Sequence, residues 1–454
     1  MMRIIVAGCG KIGTTVLQRL STEGHDVVVI DDNANVIQEI TNLYDVIGVC
    51  GNAADSDTLQ EAEVEKAELF IAAVNSDELN MLSCYIARCM GAKHTIARIR
   101  NPEYNDQSLS FLKQHLGLSM SVNPEWVAAQ EIFNILKLPS AIKIETFGRR
   151  NFQMVELIIH NGSPLDGIRL MDLRKKYNAA RFLIGVVKRN DEVYIPDGNF
   201  ELKCGDKIGI IATPADMLKL MKAAGILKKQ ARDVILLGAG RISYYLGKML
   251  LASGNSVKVI EKDEKRCTEF CESLPEAMVI HGDGVIQELL LEEGIRSTDA
   301  FVALTGMDEQ NILISCYALS QNVPTVISKV NQDALSVMAN KLGLESIISP
   351  QKIISDVFVR YARALHNSIG SKVEALYNIM DDTVEALEFN VLDDFPFAET
   401  KLKDMHLKSN ILIAGIIRNR KSLIPTGDDT ILPGDKVIVI AAKQHLRNLS
   451  DMFL

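Results

Sequence analysis

The 454-residue chain lacks several features that would fix its class at once. No apolar run approaches the roughly 20 residues that a membrane-spanning helix needs. The opening MMRIIVAGCG runs straight into an apolar segment and a glycine turn, without the charged lead, apolar core and cleavage site of a secretory signal. Both absences point to the cytosol, with any membrane part supplied by a partner. The eight cysteines include no Cys-x-x-Cys pair. Cys267 and Cys271 stand four apart on an expected helix. No histidine lies nearby at ligand spacing, so buried thiols in a reducing compartment read better there than a metal pair. The eight histidines form no His-x-x-x-His. An excess of positive charge is missing too. The net charge of −9 excludes a general grip on nucleic acid, which needs basic surface to displace counterions. What remains is a globular composition, 47% hydrophobic and 24% charged, enough for sizeable cores. At this length it implies about two to four domains.

The chain is written twice. MRIIVAGCGKIG (2–13) aligns with RDVILLGAGRIS (232–243), HDVVVIDDN (25–33) with NSVKVIEKD (255–263), and FIAAVNSDELNML (70–82) with FVALTGMDEQNIL (301–313). VCGNAADSDTLQEA (49–62) aligns with IHGDGVIQELLLEE (280–293), and TIARIRN (95–101) with VISKVNQ (326–332). Near the end of each copy, LKCGDKIGIIA (202–212) matches LPGDKVIVIAA (432–442). The offset stays at 229–231 residues throughout, which chance similarity would not hold.

Each copy divides in two. Short Val/Ile-rich runs alternate with amphipathic helical stretches, the pattern of strands buried on both faces of a parallel sheet with crossover helices. A shorter part follows, richer in strand signals and in turns such as Cys204-Gly205-Asp206 and Pro433-Gly434-Asp435. The expected fold class is α/β: two tandem Rossmann-like parallel-sheet domains, each followed by a small α+β domain. The boundaries read 1–122, a linking amphipathic helix at 123–142, and 143–225. In the second copy they read 232–348, a linking helix at 349–370, and 384–454. The linking helices are expected either to pack the units together or to cover only their own sheets.

The chemistry gathers at the first turn of each copy. Gly8, Gly10 and Gly13 form Gly-x-Gly-x-x-Gly between a strand and a helix, with Asp31 about 20 residues on. Gly8 makes the tight turn, Gly10 lets backbone amides approach a pyrophosphate, and Gly13 lets the helix pack close to the strand. The helix N-terminus then offers free N–H groups to phosphate. Asp31 would accept hydrogen bonds from ribose hydroxyls and repel a 2′-phosphate, which favours NAD or a plain adenosine nucleotide over NADP. The second copy keeps Gly238, Gly240 and Glu261, but has Ser243 in the third glycine's place. Arg241 stands where the first copy has Lys11, and a guanidinium can grip phosphate oxygens bidentately. The second pocket therefore either takes a more highly charged nucleotide such as ATP or ADP, or is an empty copy of the fold. Two further clusters recur at strand carboxyl ends, where open α/β sheets bind ligands. They are Gly51-Asn52 with Gly282-Asp283, and Asn75-Ser76-Asp77-Glu78 with Gly306-Met307-Asp308-Glu309. Asp77 and Asp308 read equally well as helix caps. Arg98 and Lys329 would reach base or phosphate, or else are solvated surface charges.

A dehydrogenase needs a second site with an acid–base group held against the nicotinamide. His160, His406 and His445 in the small domains have no counterparts in the other copy, and no paired carboxylates or Ser/His/Asp set recurs. The sequence favours a sensor that is not an enzyme, with an NAD-dependent oxidoreductase as the rival reading.

Taken together, the duplicated unit, GCGKIG with Asp31, NSDELNML and IARIRNPEY (96–104) resemble the Trk potassium uptake protein A family across essentially the whole chain. That family comprises cytosolic NAD-binding subunits of Trk potassium transport systems. It is similar to regulators of potassium conductance, whose nucleotide-binding half is called RCK-N and whose ligand-sensing half RCK-C. The resemblance implies NAD(H) and adenine nucleotides as ligands and a Trk-type channel-like membrane partner. It also implies a homo-oligomeric ring, dimeric or tetrameric, lying on the inner face of the cell membrane. It carries nucleotide contacts onto Gly8, Cys9, Gly10, Lys11, Ile12, Asp31, Val74, Asn75 and Arg98. In the second half they fall on Gly238, Ala239, Gly240, Arg241, Ile242, Glu261, Thr305, Gly306 and Lys329. Ser243 and Lys329 depart from the ideal pattern, which leaves the second ligand open.

Overall fold

A computed structural model describes residues 2–104, 106–147, 152–365, 371–380, 383–444, 446 and 448–453. His445 and the end of the expected 349–370 segment, residues 366–370, lie outside the described residues. Near-continuous apolar runs make the first strands: β1 (Arg3–Ala7), β2 (Asp26–Asp31), β3 (Ile47–Cys50), β4 (Leu69–Ala72) and β5 (His94–Arg98), joined by β6 (Met120–Val122). They form one parallel sheet in the order β3-β2-β1-β4-β5-β6, crossed by α1 (Lys11–Thr22), α2 (Ala34–Leu43), α3 (Ser56–Glu61), α4 (Asp77–Met90) and α5 (Asp106–Leu116). Strand order reverses between β1 and β4, and their carboxyl ends open the crevice where ligands of such sheets bind.

After α6 (Pro124–Lys137), strands β7 (Lys143–Phe147), β8 (Phe152–Ile158), β9 (Phe182–Arg189), β10 (Glu192–Tyr194) and β11 (Lys207–Ala212) form an antiparallel sheet. Helices α7 (Leu170–Lys176) and α8 (Pro214–Ala223) accompany it.

The second copy repeats the plan. Strands β12 (Asp233–Leu237), β13 (Ser256–Glu261), β14 (Met278–His281), β15 (Ala300–Ala303), β16 (Thr325–Lys329) and β17 (Ser346–Ile348) take the same parallel order. Their helices are α9 (Arg241–Ala252), α10 (Glu264–Ser273), α11 (Gln287–Glu292), α12 (Asp308–Ser320) and α13 (Asp333–Lys341). Helix α14 (Pro350–Leu365) leads to the antiparallel strands β18 (Ser371–Ile379), β19 (Val384–Val391), β20 (Ile411–Arg418), β21 (Lys421–Leu423) and β22 (Lys436–Ala442). Here short 3-10 turns at Leu402–Asp404 and Leu449–Met452 stand in place of α7 and α8.

The linking helices do not stay with their own sheets. Ile132, Ile135 and Leu136 of α6 share a core with Val234 and Leu236 of β12 and Leu246 and Leu250 of α9. Reciprocally, Ile354, Phe358 and Val359 of α14 join Ile4 and Val6 of β1 and Leu17 and Leu20 of α1. Each fully buried side chain of this size contributes about 1.5–3 kcal/mol. Three per helix outweigh the ion pairs beside them, such as Arg19 with Asp356, because partly exposed pairs are worth at most about 1 kcal/mol each. The small domains also join. Phe152, Met154 and Val186 pack with Ile379, Met380 and Ile440 across their facing sheets. Tyr377 Oη donates to the Thr146 carbonyl at 2.8 Å, and Lys143 Nζ to that of Asn378 at 2.6 Å. Among the described residues, no helix is long and apolar enough to cross a membrane.

This reciprocity makes a prediction about half the chain. A protein of residues 1–225 alone leaves α6 without its apolar bed and β1 and α1 without their cover. Light scattering after size exclusion is expected to find a dimer in which each copy supplies α6 to the other. A stably folded monomer would contradict the packing.

Candidate functional site

The first turn is built around close backbone approach. Gly8 has φ +92°, and a Cβ there would lie 2.7 Å from the Val74 amide nitrogen. A Cβ on Gly13 would lie 1.9 Å from the Gly8 carbonyl oxygen, so α1 sits hard against the end of β1. A Cβ on Gly10 would meet nothing within 4 Å. Two of the three glycines are thus required by packing, and the third opens onto space at a helix N-terminus. Gly10 caps α1 without any side-chain hydrogen bond, which leaves the first-turn amides free for an anion. Lys11 beside them is exposed, and Ile12 packs against the α14 side of the core.

The second turn solves the same constraint differently. Gly238 has φ +99°, a Cβ on Gly240 again meets nothing within 4 Å, and Gly240 caps α9 without a side-chain bond. Ser243 is fully buried, and its hydroxyl donates to the Gly238 carbonyl, the group that leaves no room at Gly13 in the first half. The hydrogen bond compensates for the looser approach. Arg241 is exposed at the loop, while Ile242 is buried in the core beneath it.

The acids at the ends of β2 and β13 are engaged by backbone amides. Asp31 Oδ2 accepts from the Cys9 amide at 2.7 Å and its Oδ1 from the Asn33 amide at 3.0 Å. Glu261 Oε2 accepts from the Ala239 amide at 2.8 Å, and its Oε1 takes the amides of Lys262 and Asp263 at 2.8 and 3.0 Å. Each carboxylate clasps its glycine loop. Asp31 is partly exposed, whereas Glu261, one methylene longer, is buried. The Cys9 thiol is turned into the core, where burial and the nearby Asp31 push its pKa up to about 12, so Cys9 offers its backbone only.

The clusters after β4 and β15 are held by a pair of residues that sequence reasoning missed. Asn80 is fully buried; its Oδ1 accepts from the Val74 amide at 2.8 Å and its Nδ2 donates to the carbonyls of Val74 and Arg98 at 3.0 and 2.9 Å. Asn311 does the same for Thr305 and Lys329. Recurrence of a buried asparagine inside NSDELNML and GMDEQNIL was the available signal. Asp77 and Asp308 are not caps. Asp77 Oδ2 takes the amides of Arg100 and Asn101 at 2.7 and 2.8 Å, and Asp308 Oδ2 those of Asn331 and Gln332 at 2.8 and 3.0 Å. The cap of α4 is Ser76, whose hydroxyl accepts from the Leu79 amide. Asn75 is exposed, with its carbonyl accepting from the Arg100 guanidinium. Gly306 opens onto space. Gly51 is held close to Thr58, and Gly282 to Leu289. Asn52 and Asp283 each accept a backbone amide two residues on, at 2.9 and 3.1 Å.

Arg98 is not a solvated surface charge. It is 6% exposed, its Nη2 donates to the Val74 carbonyl at 2.5 Å, and its buried Nε has no partner among the described residues. Burial, and then the neighbouring Arg100, push its pKa down to about 10. Lys329 is likewise pushed down, chiefly by burial and further by Lys11 of the opposite half. Glu125, in the first turn of α6, has a buried Oε2 without a partner among the described residues, and burial pushes its pKa up against the pull of Arg100, Arg241 and Arg98. Cations of each half therefore face the other half's loop. No spacing in the sequence foretells this, because it depends on α6 crossing over.

Comparisons with known proteins agree with this geometry. The TrkA-N domain model matches residues 4–124 and 234–350, and the TrkA-C domain model matches 154–225 and 386–454. The chain is 31% identical to a Trk system potassium uptake protein TrkA homolog of Archaeoglobus fulgidus, covering 100% of both chains. It is 28% identical to the Trk system potassium uptake protein TrkA of Halomonas elongata, over 100% of this chain and 98% of that one. Among solved structures, the GsuK RCK domain superposes with a TM-score of 0.64 at 16% identity, covering 97% of this chain and 92% of that one. The GsuK channel bound to NAD gives 0.64 at 17% identity, over 97% and 77%.

The glycines separate packing from binding. Gly13→Ala and Gly8→Ala are expected to lower the melting temperature clearly, each costing at least about 1–3 kcal/mol of overpacking. Gly10→Ala leaves it within about 1 kcal/mol of the parent. Thermal unfolding monitored by circular dichroism checks the ranking; equal losses at all three would contradict it.

Proposed function

The chain belongs to the TrkA family of Trk system potassium uptake proteins, and from that premise we propose that it is a nucleotide-sensing regulatory subunit gating a Trk-type membrane channel. The observation that carries the reading is the open space at Gly10 and Gly240, each at an uncapped helix start beside a clasped carboxylate. A dinucleotide fits that donor set: free amides for the pyrophosphate, acids for the ribose, and exposed Lys11 or Arg241 for phosphate charge. In the first half NAD(H) would be held by the loop Gly8–Gly13, by Asp31, and by Val74, Asn75 and Arg98, with Gly51 and Asn52 at the adenosine end. The acid at position 31 disfavours a 2′-phosphate. The second half would take an adenine nucleotide through Gly238–Ile242, Glu261, Thr305, Gly306 and Lys329, with Gly282 and Asp283 beside it. The GsuK channel bound to NAD and the GsuK structure bound to ADP support these ligand classes by their fold.

In this reading the ligand's chemistry ends at binding. A nucleotide shifts the balance between two shapes by its difference in affinity for them. Because α6 and α14 are exchanged, a shift at one crevice is carried to the other half. Assembly into a ring explains the apolar side chains left outside. Leu82 is 49% exposed on α4 and Phe111 61% on α5; the same faces of the second half carry Leu313 at 69% on α12 and Val337 at 57% on α13. A second copy of the chain is the occupant these repeated faces suit.

Calorimetric titration with NAD, NADH, ADP and ATP tests the ligand assignment. Asp31→Ala is expected to weaken NAD at least about tenfold, the scale of a lost charge-assisted hydrogen bond, and Glu261→Ala to weaken the second nucleotide similarly. Unchanged affinities in both would refute the ribose placement, and steady consumption of NADH would favour an oxidoreductase. Separately, Leu82→Asp combined with Leu313→Asp is expected to leave nucleotide affinity intact while reducing the assembly to smaller species in light scattering. An unchanged mass would contradict the proposed ring contact.

A further inference from the structure

The duplication lets one half serve as a template for the other. Helices α6 and α14 both begin with proline, and their buried positions correspond: Ala128 with Ile354, Ile132 with Phe358, Leu136 with Ala362. The next residues are Lys137 and Arg363. Arg363 lies between two acids, 2.7 Å from Glu23 and 3.1 Å from Glu385, and its side chain is only 14% exposed. Those acids have no counterparts opposite Lys137. Ser253 follows α9 as Glu23 follows α1. Gln153 pairs across its sheet with Ala212, as Glu385 pairs with Ala441.

Where the first half is closed by this triad, the second half has a cavity of roughly 730 Å³. It lies between the ends of α6 and α9 and the segment after α8. Phe133, Leu136 and Leu250 supply apolar lining, and Lys137, Lys229 and Arg232 supply cations; among the described residues no carboxylate lines it, and Asp299 lies outside the lining within electrostatic reach of Lys229 and Arg232. Lys137 is exposed and stands 4.3 Å from the centroid of the Phe133 ring. Lys229 is 3.8 Å from Asp299, a loose contact with the lysine side chain 73% exposed, so little energy holds it there. The size falls within the range of small-molecule pockets, which combine an apolar lining with a few convergent polar groups.

We propose that this cavity binds a small organic dianion with an apolar body, a phosphate monoester or dicarboxylate, in the role that Glu23 and Glu385 play toward Arg363. The end of α9 presents the negative pole of its dipole. The side-chain cations must therefore supply the attraction, and Lys137, at the position of Arg363, carries most of it. The site is separate from both glycine loops, so its occupancy does not require that nucleotides bind there. A ligand would brace α6 against the second sheet as the triad braces α14 against the first.

The test titrates phenyl phosphate and phenylsuccinate into the full chain, the Lys137→Ala variant and the Ser253→Glu variant. Ser253→Glu restores an acid where Glu23 stands. Saturable binding to the parent is expected, weakened about tenfold or more in both variants, with Ser253→Glu melting at or above the parent temperature. NAD titrations run in parallel are expected to be the same in all three proteins. Absence of saturable binding by the parent overturns the proposal. So does equal affinity in parent and variants, which would place the anion elsewhere, including at the glycine loops. Co-sedimentation with phosphatidic acid vesicles, sensitive to Lys137→Ala, would assign the dianion to a lipid headgroup; binding of the soluble compounds alone would assign it to a free metabolite.

Discussion

The reciprocal burial of α6 and α14 is the constraint on which the rest of the structure depends. Each helix leaves its own sheet and completes the apolar core of the other half, so neither half has a finished core without the other. The exchange brings Arg98 and Arg241 within electrostatic reach of Glu125 and Lys329 within that of Lys11, so charges of the two halves act on one another. Interiors packed at this density resist continuous deformation and favour discrete arrangements. A bound anion that neutralises one cation in this group therefore acts on groups belonging to both halves.

Duplication followed by divergence runs through every level. The first turn uses Gly13 where nothing larger fits, and the second uses Ser243 with a hydrogen bond to the same carbonyl position. The acid is a half-exposed aspartate in one half and a buried glutamate in the other. At the far ends of the linking helices a closed ion triad faces an open basic cavity. The small domains keep matching arginine–aspartate pairs, Arg189 with Asp206 and Arg418 with Asp435, while two helices give way to short turns. In the proposed function, two non-identical crevices in one chain let two metabolic signals bias one assembly.

Much of this was legible from residue order alone. The repeat offset and the Val/Ile runs marked the alternation of strands and helices in both parallel-sheet parts, because strands buried on both faces carry the strongest local signal; the three-residue edge strands β6 and β17 are too short to carry it. Gly8 and Gly13 were interpretable one by one, since each has its own steric reason. What stayed hidden depends on tertiary contact. The amphipathic face of α6 declares that it must be covered but not by which sheet. The roles of Asn80 and Asn311 arise from backbone groups on neighbouring strands that meet only in the fold. Asp77 stands at the start of a helix, where a cap is the local expectation, yet its carboxylate is drawn to the amides after β5. Arg98 looks like any terminal strand arginine until its neighbours enclose it.

The most direct test of this account is hydrogen–deuterium exchange of the full chain with and without saturating NAD. If the exchanged helices couple the halves, NAD at the first loop slows exchange in β1 and α1 and also in residues 350–365, which lie in the second half of the sequence. Protection confined to residues 3–100, with 350–365 and 124–137 unaltered, would contradict it.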